Sequence, residues 1–159
     1  MIIEDGKFYF IKDEFFDIFK DYKLMQNKES GNKRPCYFCF NDEHDSKIIW
    51  FVPISSKVQK YKKIYNSKIK RKKVVDNFVF GEVLGNEKVF LIQNIFPTTE
   101  KFIENKYRSK NKDVRISDNL QDEVIRVSKK VIELSKIGIN VPFYDINKMK
   151  RILIEKYVK

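Results

Sequence analysis

Two adjacent hydroxyl groups and an ammonium group follow an apolar segment near the middle of the chain. Ser55, Ser56 and Lys57 come just after a predicted strand at Ile48–Val52. Such hydroxyls can donate hydrogen bonds to phosphate oxygens, while a lysine offsets the charge that grows in a phosphoryl-transfer transition state. The pattern is compatible with a phosphodiester site, although a serine pair after a proline is more often a cap or turn. Lys33 and Arg34 are two adjacent cations just before another predicted strand, and they are a second candidate for phosphate contact. Alternatively, they are the solvated end of a loop.

The densest positive charge lies between Lys57 and Lys73, where nine cations occur with no acidic residue and two tyrosines are interleaved. Cations can neutralise backbone phosphates while unstacked bases lie on tyrosine rings, so the segment resembles an arm that binds single-stranded RNA. The alternative is a solvated basic loop without a specific partner. The residues predicted to contact RNA here are Lys60, Tyr61, Lys63, Tyr65, Lys68, Lys70, Arg71 and Lys72. Lys106, Arg108, Lys110, Lys112 and Arg115 form a second candidate phosphate surface, for which a solvated loop is an equal alternative.

The supply of metal-ligating and catalytic side chains excludes several chemistries. Cys36 and Cys39 are the only thiols and His44 is the only imidazole, so neither a Cys/His zinc cage nor a histidine-pair ribonuclease is available. The acidic turn at 42–45 is less favoured as a metal site, because such residues crowd into tight turns for backbone reasons. Nuclease chemistry must then rely on Lys, Arg, Ser, Thr or Tyr, or on the 2′-hydroxyl of RNA itself. No metal and no cofactor are predicted.

Length and charge set the class of protein and partner. A chain of 159 residues predicts a single domain spanning residues 1–159. The formal net charge of +11 predicts attraction to a polyanion, with nucleic acid ahead of a membrane surface. There is no apolar run of membrane-spanning length, and Glu4 and Asp5 stand where a secretory signal needs positive charge. A cytoplasmic location without a membrane partner is therefore predicted.

Hydrophobic periodicity predicts an α+β protein with a helical C-terminal half. Asp13 opens a helix whose core face holds Phe15, Phe16, Phe19 and Tyr22, and residues 26–34 are predicted as a polar loop. Five short strands in a small, strongly bent sheet favour a barrel. The predicted strands are Lys7–Ile11, Pro35–Asn41, Lys47–Pro53, and Val74–Leu84 with Glu87–Gln93 around a Gly85-Asn86 turn.

Three helices are predicted after the strands. Thr98 and Thr99 are candidate caps for a short helix that runs through Tyr107. Ser117 is the predicted N-cap of a long helix that Gly138 ends, and Asp145 is the predicted cap of a final helix.

Three segments, in this order and spacing, resemble a known family. They are FYFI at Phe8–Ile11, RPCYFCF at Arg34–Phe40 and WFVPISSK at Trp50–Lys57. The chain resembles the ToxN/AbiQ/CptN family of type III toxin–antitoxin endoribonucleases. The resemblance implies a compact SH3-like β-barrel of the MazF/Kid type decorated with helices. It also implies sequence-specific, metal-independent RNA cleavage that leaves a 2′,3′-cyclic phosphate and a 5′-hydroxyl, in the context of phage defence.

The resemblance also implies partners and catalytic positions. The antitoxin would be a repeated RNA pseudoknot that the toxin processes and that inhibits it, in an RNA-bridged assembly of two or three protomers. The family's hydroxyl-hydroxyl-x-Lys element corresponds to Ser55, Ser56 and Lys57. Because the intervening residue is missing here, Lys60 is the reserve candidate for the lysine, and Lys33 or Arg34 would supply the second cation. An N-terminal tyrosine that some members use corresponds to Phe15, so its role is not carried over.

Two other classes of function compete with the toxin. A non-catalytic RNA-binding barrel would use the same basic arm, and tandem repeats of a short transcribed sequence upstream would argue against it. A DNA-binding regulator ranks third, because no helix shows a convincing recognition pattern of surface Arg and Asn.

Overall fold

Strands fill the first two thirds of the chain and long helices the last third, in a computed structural model that describes residues 2–158. The strands are β1 (Phe8–Ile11), β2 (Lys28–Glu29), β3 (Asn32–Lys33), β4 (Cys36–Asn41), β5 (Ile49–Ser55), β6 (Phe78–Val83), β7 (Asn86–Leu91), β8 (Phe96–Thr98), β9 (Ile103–Lys106), β10 (Arg108–Ser109) and β11 (Lys112–Asp113). The α-helices are α1 (Asp13–Ile18), α2 (Val58–Lys70), α3 (Asp118–Lys136) and α4 (Ile146–Tyr157), and short 3₁₀ helices cover Lys20–Tyr22, Ile92–Asn94 and Glu100–Phe102.

Strand β5 organises the main sheet, which is antiparallel with the order β6-β7-β5-β4-β1-β9. Its first residues pair with β8, while Ile54 and Ser55 at its end pair with β7. Every residue of β5 is buried, as its continuous apolar sequence requires of a strand covered on both faces. Within residues 2–158 the edge strands β6 and β9 do not pair with each other. The combination of an antiparallel sheet with helices is confirmed, and the closure of the sheet into an SH3-like barrel remains a prediction.

The core is built largely from aromatic rings. Phe15 of α1 is fully buried and packs against Phe19, Phe96 and Phe102, with ring centroids 5.1–5.6 Å apart. Helices α3 and α4 complete the core through apolar stripes that include Val124, Val131, Met149 and Leu153. The helix α3 thus packs on β4 and β6, and α4 packs on β8, beside the strand β5.

Both long C-terminal helices have the caps that the sequence predicts. The Ser117 side chain accepts a hydrogen bond from the backbone amide of Leu120, and the Asp145 carboxylate accepts one from Lys148. Gly138 follows α3 with a φ of 83°, the left-handed conformation that ends helices. No helix among the described residues is long and apolar enough to cross a membrane.

Four local predictions are wrong. Residues 26–34 contain the β2–β3 hairpin, and residues 57–73 are mostly the helix α2 instead of a loop-like arm. The segment after Thr99 forms a 3₁₀ turn and strand β9, because Ile103 is drawn into the sheet beside Ile11. The β6–β7 turn is Leu84-Gly85, both with positive φ, one residue earlier than predicted.

Candidate functional site

The predicted serine pair lies where β5 ends and α2 begins. Ser55 is the last residue of β5 and is 2% exposed, whereas Ser56 is exposed. Helix α2 starts at Val58 and has no acidic residue in its first turn. The positive end of the helix dipole therefore faces this junction without a local carboxylate from its own helix to offset it.

A carboxylate from a separate segment is bound to both serines. The hydroxyl of Ser55 donates to Glu29 Oε2 at 2.6 Å, and the backbone amide of Ser56 donates to Glu29 Oε1 at 2.9 Å. The Ser56 hydroxyl also donates to Glu29 Oε1. Glu29 is carried by strand β2, so the hairpin that the sequence did not predict delivers this side chain.

Arg34 completes the set of donors and is itself buried. Its Nη1 donates to Glu29 Oε2 at 2.8 Å and to the backbone carbonyl of Ile54 at 3.0 Å, while Nε donates to the carbonyl of Gln26 at 3.2 Å. Only 7% of its side chain is exposed. Two backbone carbonyls thus fix the guanidinium, and its Nη1 also donates to the carboxylate that the serines bind.

The pKa of Glu29 reflects this arrangement. Partial burial alone would raise the pKa of the carboxyl, but hydrogen bonds from Ser55, from Ser56 and from Arg34 together lower it to about 2. Glu29 is therefore ionised at neutral pH. We define Ser55, Ser56 and Arg34 as the anion site, because their donors converge on one negatively charged group.

A cavity of about 470 Å³ opens beside the anion site. Two lysines line its wall, Lys33 on β3 and Lys88 on β7. Lys33 Nζ lies 2.5 Å from Glu104 Oε2. The hydroxyl-bearing ring of Tyr107 and the ring of Phe10 also line the cavity, with centroids 5.5 Å apart. The cavity therefore combines cations and aromatic surface next to an anion-binding group, as a nucleotide would require.

Of the predicted catalytic residues, the structure brings together Ser55, Ser56, Arg34 and Lys33, and places Lys57 differently. Lys57 precedes α2, and its backbone amide donates to Ser55 Oγ at 3.1 Å. Its side chain is exposed and does not line the cavity. Lys60 is also exposed, with Nζ 5.2 Å from the centre of the Tyr61 ring. Phe15 lies in the core, and Phe10 is the N-terminal aromatic residue in the cavity wall.

The basic arm is an amphipathic helix, which changes the role of its tyrosines. Tyr61 is 5% exposed and packs on Phe78, and Tyr65 is half-buried against Phe80. Burial of the Tyr61 ring excludes the base stacking predicted for it. The outer face of α2 and the residues after it remain basic. Lys63, Lys70, Arg71 and Lys72 are exposed and Lys68 is half-exposed.

The second basic cluster is divided by ion pairs. Asp113 on β11 pairs with Lys7 at 2.7 Å, with Arg108 at 3.3 Å and with Lys106 at 3.5 Å. These contacts hold the β10–β11 hairpin against the sheet, and the single carboxylate of Asp113 offsets one of the five positive charges of the cluster. Lys112 and Arg115 are exposed, and Arg115 lines a separate cavity of about 800 Å³.

The acidic turn and the cysteines have structural roles. The Asp42 carboxylate accepts hydrogen bonds from the Trp50 indole at 2.9 Å and from the backbone amides of His44 and Asp45, and it pairs with Lys150. Both cysteines are buried free thiols, and burial raises the pKa of each to about 12. No cluster of three or more potential metal ligands is found within residues 2–158.

Sequence reasoning missed Glu29, Lys88 and Tyr107. The turn Ser30-Gly31 has positive φ at both residues, and this serine–glycine step is a hairpin signal from which Glu29 could have been found. Lys88 has no such signal, because only the pairing of β7 with the end of β5 brings it to the cavity. Tyr107 was predicted as part of a helix, and it instead follows β9, where its backbone amide donates a hydrogen bond to the backbone carbonyl of Phe8.

Known structures match this chain over almost its whole length. AbiQ, a lactococcal anti-phage endoribonuclease of the type III toxin–antitoxin system, matches with a TM-score of 0.71 and 14% identity, over 98% of this chain and 100% of AbiQ. A bacterial type III toxin that a non-coding RNA pseudoknot selectively inhibits matches with a TM-score of 0.68 and 17% identity, over 98% and 100% of the two chains.

The chain has the ToxN/AbiQ fold. A third structure, from a bacterial antiviral system regulated by a processed non-coding RNA, matches with a TM-score of 0.65 and 13% identity, over 96% of this chain and 97% of that one. No protein-family model and no curated protein matches the chain. The resemblance seen in three short segments is thus confirmed as a likeness of the complete ToxN/AbiQ fold.

Proposed function

We propose that this protein is the endoribonuclease toxin of a type III toxin–antitoxin system, formed by a single domain over residues 1–159. One observation carries the proposal: the anion site directs its donors at a single carboxylate, that of Glu29. Beside it lies a cavity that Lys33 and Lys88 line. The same fold occurs in AbiQ, an anti-phage endoribonuclease. A phosphodiester is the anion that connects this site to such an activity.

The proposed reaction is transesterification within RNA, without a metal ion. The 2′-oxygen forms a bond to the adjacent phosphorus as its proton passes to water, and the bond from phosphorus to the 5′-oxygen breaks. The products are a 2′,3′-cyclic phosphate and a 5′-hydroxyl. The anion site would hold the phosphate and stabilise the charge that develops on its oxygens, because preorganised donors act most strongly where charge grows.

Protonation of the leaving 5′-oxygen requires an acid, and lysines are available on two sides. Lys57 is the N-cap residue of α2 and follows Ser56, with Lys60 as the reserve, and Lys33 lines the cavity beside Arg34. Arg34 can only stabilise charge, because guanidinium groups do not lose a proton in proteins. We therefore assign phosphate binding to Arg34 and proton donation to a lysine.

The basic surface of α2 would hold the RNA on either side of the cleaved bond. It begins at the anion site and continues to Arg71 and Lys72, so a strand could run from the cavity along the helix. In the neighbouring systems a non-coding RNA inhibits a toxin or regulates an antiviral system. We propose the corresponding partner here, a pseudoknot RNA repeat that the toxin cuts from its precursor and that inhibits it in an RNA-bridged assembly of two or three protomers. The setting we propose is phage defence in the cytoplasm.

The test is the product chemistry of RNA cleavage by the purified protein. Cleavage should survive EDTA and leave 2′,3′-cyclic phosphate and 5′-hydroxyl ends on mapped fragments. Ser56→Ala should lower the rate by about 10² to 10³, as loss of one preorganised donor does. Ser46→Ala changes an exposed serine outside the cavity and should cleave normally. Comparison of Lys57→Ala, Lys60→Ala and Lys33→Ala then identifies the lysine.

Two results would contradict the proposal. Fragments ending in 3′-hydroxyl and 5′-phosphate groups, or cleavage abolished by EDTA, would refute the metal-independent transesterification. Tight RNA binding without cleavage, unchanged by Ser56→Ala, would instead establish the non-catalytic RNA-binding protein. Extraction and end-mapping of RNA that co-purifies with the protein would identify the partner in either case.

A further inference from the structure

The anion site is occupied by a side chain of the protein itself. The Glu29 carboxylate accepts hydrogen bonds from two serine hydroxyls, one backbone amide and one guanidinium. A phosphodiester presents two non-bridging oxygens that share one negative charge, so it offers the same kind of acceptor pair as a carboxylate. The donors that hold Glu29 are therefore the donors that an RNA phosphate needs.

We propose that Glu29 is an internal phosphate mimic, which occupies the anion site in the free protein and must leave before an RNA phosphate can bind. This inference rests on the proposed function and adds a control element to the same site. Two anions cannot share these donors, because each donor is already hydrogen-bonded to an oxygen of Glu29. A phosphate on the same donors would also lie within a few ångströms of the Glu29 carboxylate, and the two like charges would repel each other. RNA binding and the Glu29 contacts therefore exclude each other.

The β2–β3 hairpin that carries Glu29 is not paired with any strand of the main sheet. Strands β2 and β3 have two residues each and pair with each other, forming a sheet separate from the main one. A hairpin of this size has little stability of its own. Its base is attached to the body of the protein, because the Asn27 side chain donates to the carbonyl of Ile11 at 2.8 Å. Beyond this base, the hairpin is held by the contacts of Glu29 with the anion site and by the pair between Lys33 and Glu104 of β9.

A group that must be displaced lowers the apparent affinity of its competitor. Only the fraction of molecules with an open anion site can bind phosphate, and the apparent dissociation constant rises by the inverse of that fraction. Glu29 is 14% exposed and has an ionised carboxylate in four hydrogen bonds, so the open fraction is small. Neutralising Glu29 should therefore strengthen anion binding directly, before any RNA chemistry takes place.

The experiment is a titration of ¹⁵N-labelled protein with inorganic phosphate at pH 7, followed through the backbone amide of Ser56. This amide donates to Glu29 in the free protein, so its chemical shift reports the exchange of one anion for the other. Glu29→Gln should bind phosphate at least about tenfold more tightly than the unmodified protein. Glu82→Gln removes an exposed carboxylate on β6, next to Val83 of the cavity wall, and leaves the pair between Lys33 and Glu104 intact. This control should change the affinity less than about threefold.

Equal phosphate affinity in Glu29→Gln and the unmodified protein would overturn the inference, and so would an equal gain in Glu82→Gln, which would show a general charge effect. Glu29→Asp keeps the charge but shortens the side chain, and it should give an intermediate affinity; it serves as the test if the glutamine variant does not fold. Cleavage assays separate this inference from the proposed function. If the unmodified protein cleaves RNA while Glu29→Gln shows unchanged phosphate affinity, only the mimic fails. If Glu29→Gln gains phosphate affinity and no variant cleaves RNA, only the nuclease proposal fails.

Discussion

The Glu29 contacts predict a specific dependence of stability on pH. Folding lowers the pKa of this carboxyl from its ordinary value of 4.5 to about 2. A group with a depressed pKa stabilises the fold above its unfolded pKa, and that stabilisation is lost as the pH falls toward the folded value. At 1.36 kcal/mol per pKa unit, reduced by solvent screening of this partly buried group, the ionised carboxylate contributes about 2–3 kcal/mol to the free energy of unfolding at neutral pH.

Glu29→Gln removes this contribution and should lower the free energy of unfolding by about 2–3 kcal/mol at pH 7, with the difference shrinking toward zero near the folded pKa of about 2. The assay is urea unfolding in phosphate-free buffer at pH 7, 5, 4 and about 2.5. Trp50 is the single tryptophan and is 1% exposed, so its fluorescence reports loss of the core.

The matched control for this measurement is Glu104→Gln, whose carboxylate is 42% exposed and should contribute less than about 1 kcal/mol. A difference between Glu29→Gln and the unmodified protein that stays constant from pH 7 to 2.5 would refute the reasoning. It would mean that Glu29 acts through packing and not through its charge.

Three further predictions concern the surface, the assembly and the packing of the sheet. Binding of single-stranded RNA should weaken with salt, and reversing Lys70 and Arg71 to Glu should reduce the slope of log affinity against log salt concentration by about 1.4. Reversal of Lys12 and Lys20, two exposed lysines on either side of α1, should leave this slope unchanged. RNase should dissociate the native assembly in light scattering, because protomers of net charge +11 repel each other, and an unchanged oligomer would contradict this. Gly81→Ala should lower the free energy of unfolding by about 1–3 kcal/mol in urea, because the new methyl group would collide with Leu120. The double variant with Leu120→Ala should lose less stability than the two single variants lose together.

Local signals were reliable where one segment determines its own structure. Ser117 and Asp145 cap their helices because the capping hydrogen bond is made within four residues of the same chain segment. The apolar runs that became β4 and β5 were recognised for the same reason, since their continuous hydrophobic sequence is typical of buried strands. The order of short motifs also indicated the ToxN/AbiQ fold, which the comparison of structures confirms.

Local signals failed where a distant partner decides the structure. The segment from Ile103 has residues that suit a helix, yet β1 offers it an open sheet edge and it pairs as β9. The basic arm became a helix because Val58, Tyr61 and Tyr65 lie three and four residues apart, and β6 and β7 supply the apolar surface that buries them. The lysines dominated the composition of this segment and concealed its apolar stripe.

The sequence alone determined the charge that attracts a polyanion, the absence of a histidine pair, and the serine pair at the end of a strand. Only the tertiary structure decided what surrounds those serines. Glu29 and Arg34 belong to one hairpin segment, and the fold brings that segment to Ser55 and Ser56 at the end of β5. The pairing of β7 with β5 places Lys88, 59 positions after Glu29, in the wall of the same cavity. Electrostatic interactions of this strength depend on separations of a few ångströms, and such separations are a property of the folded chain and not of its residue order.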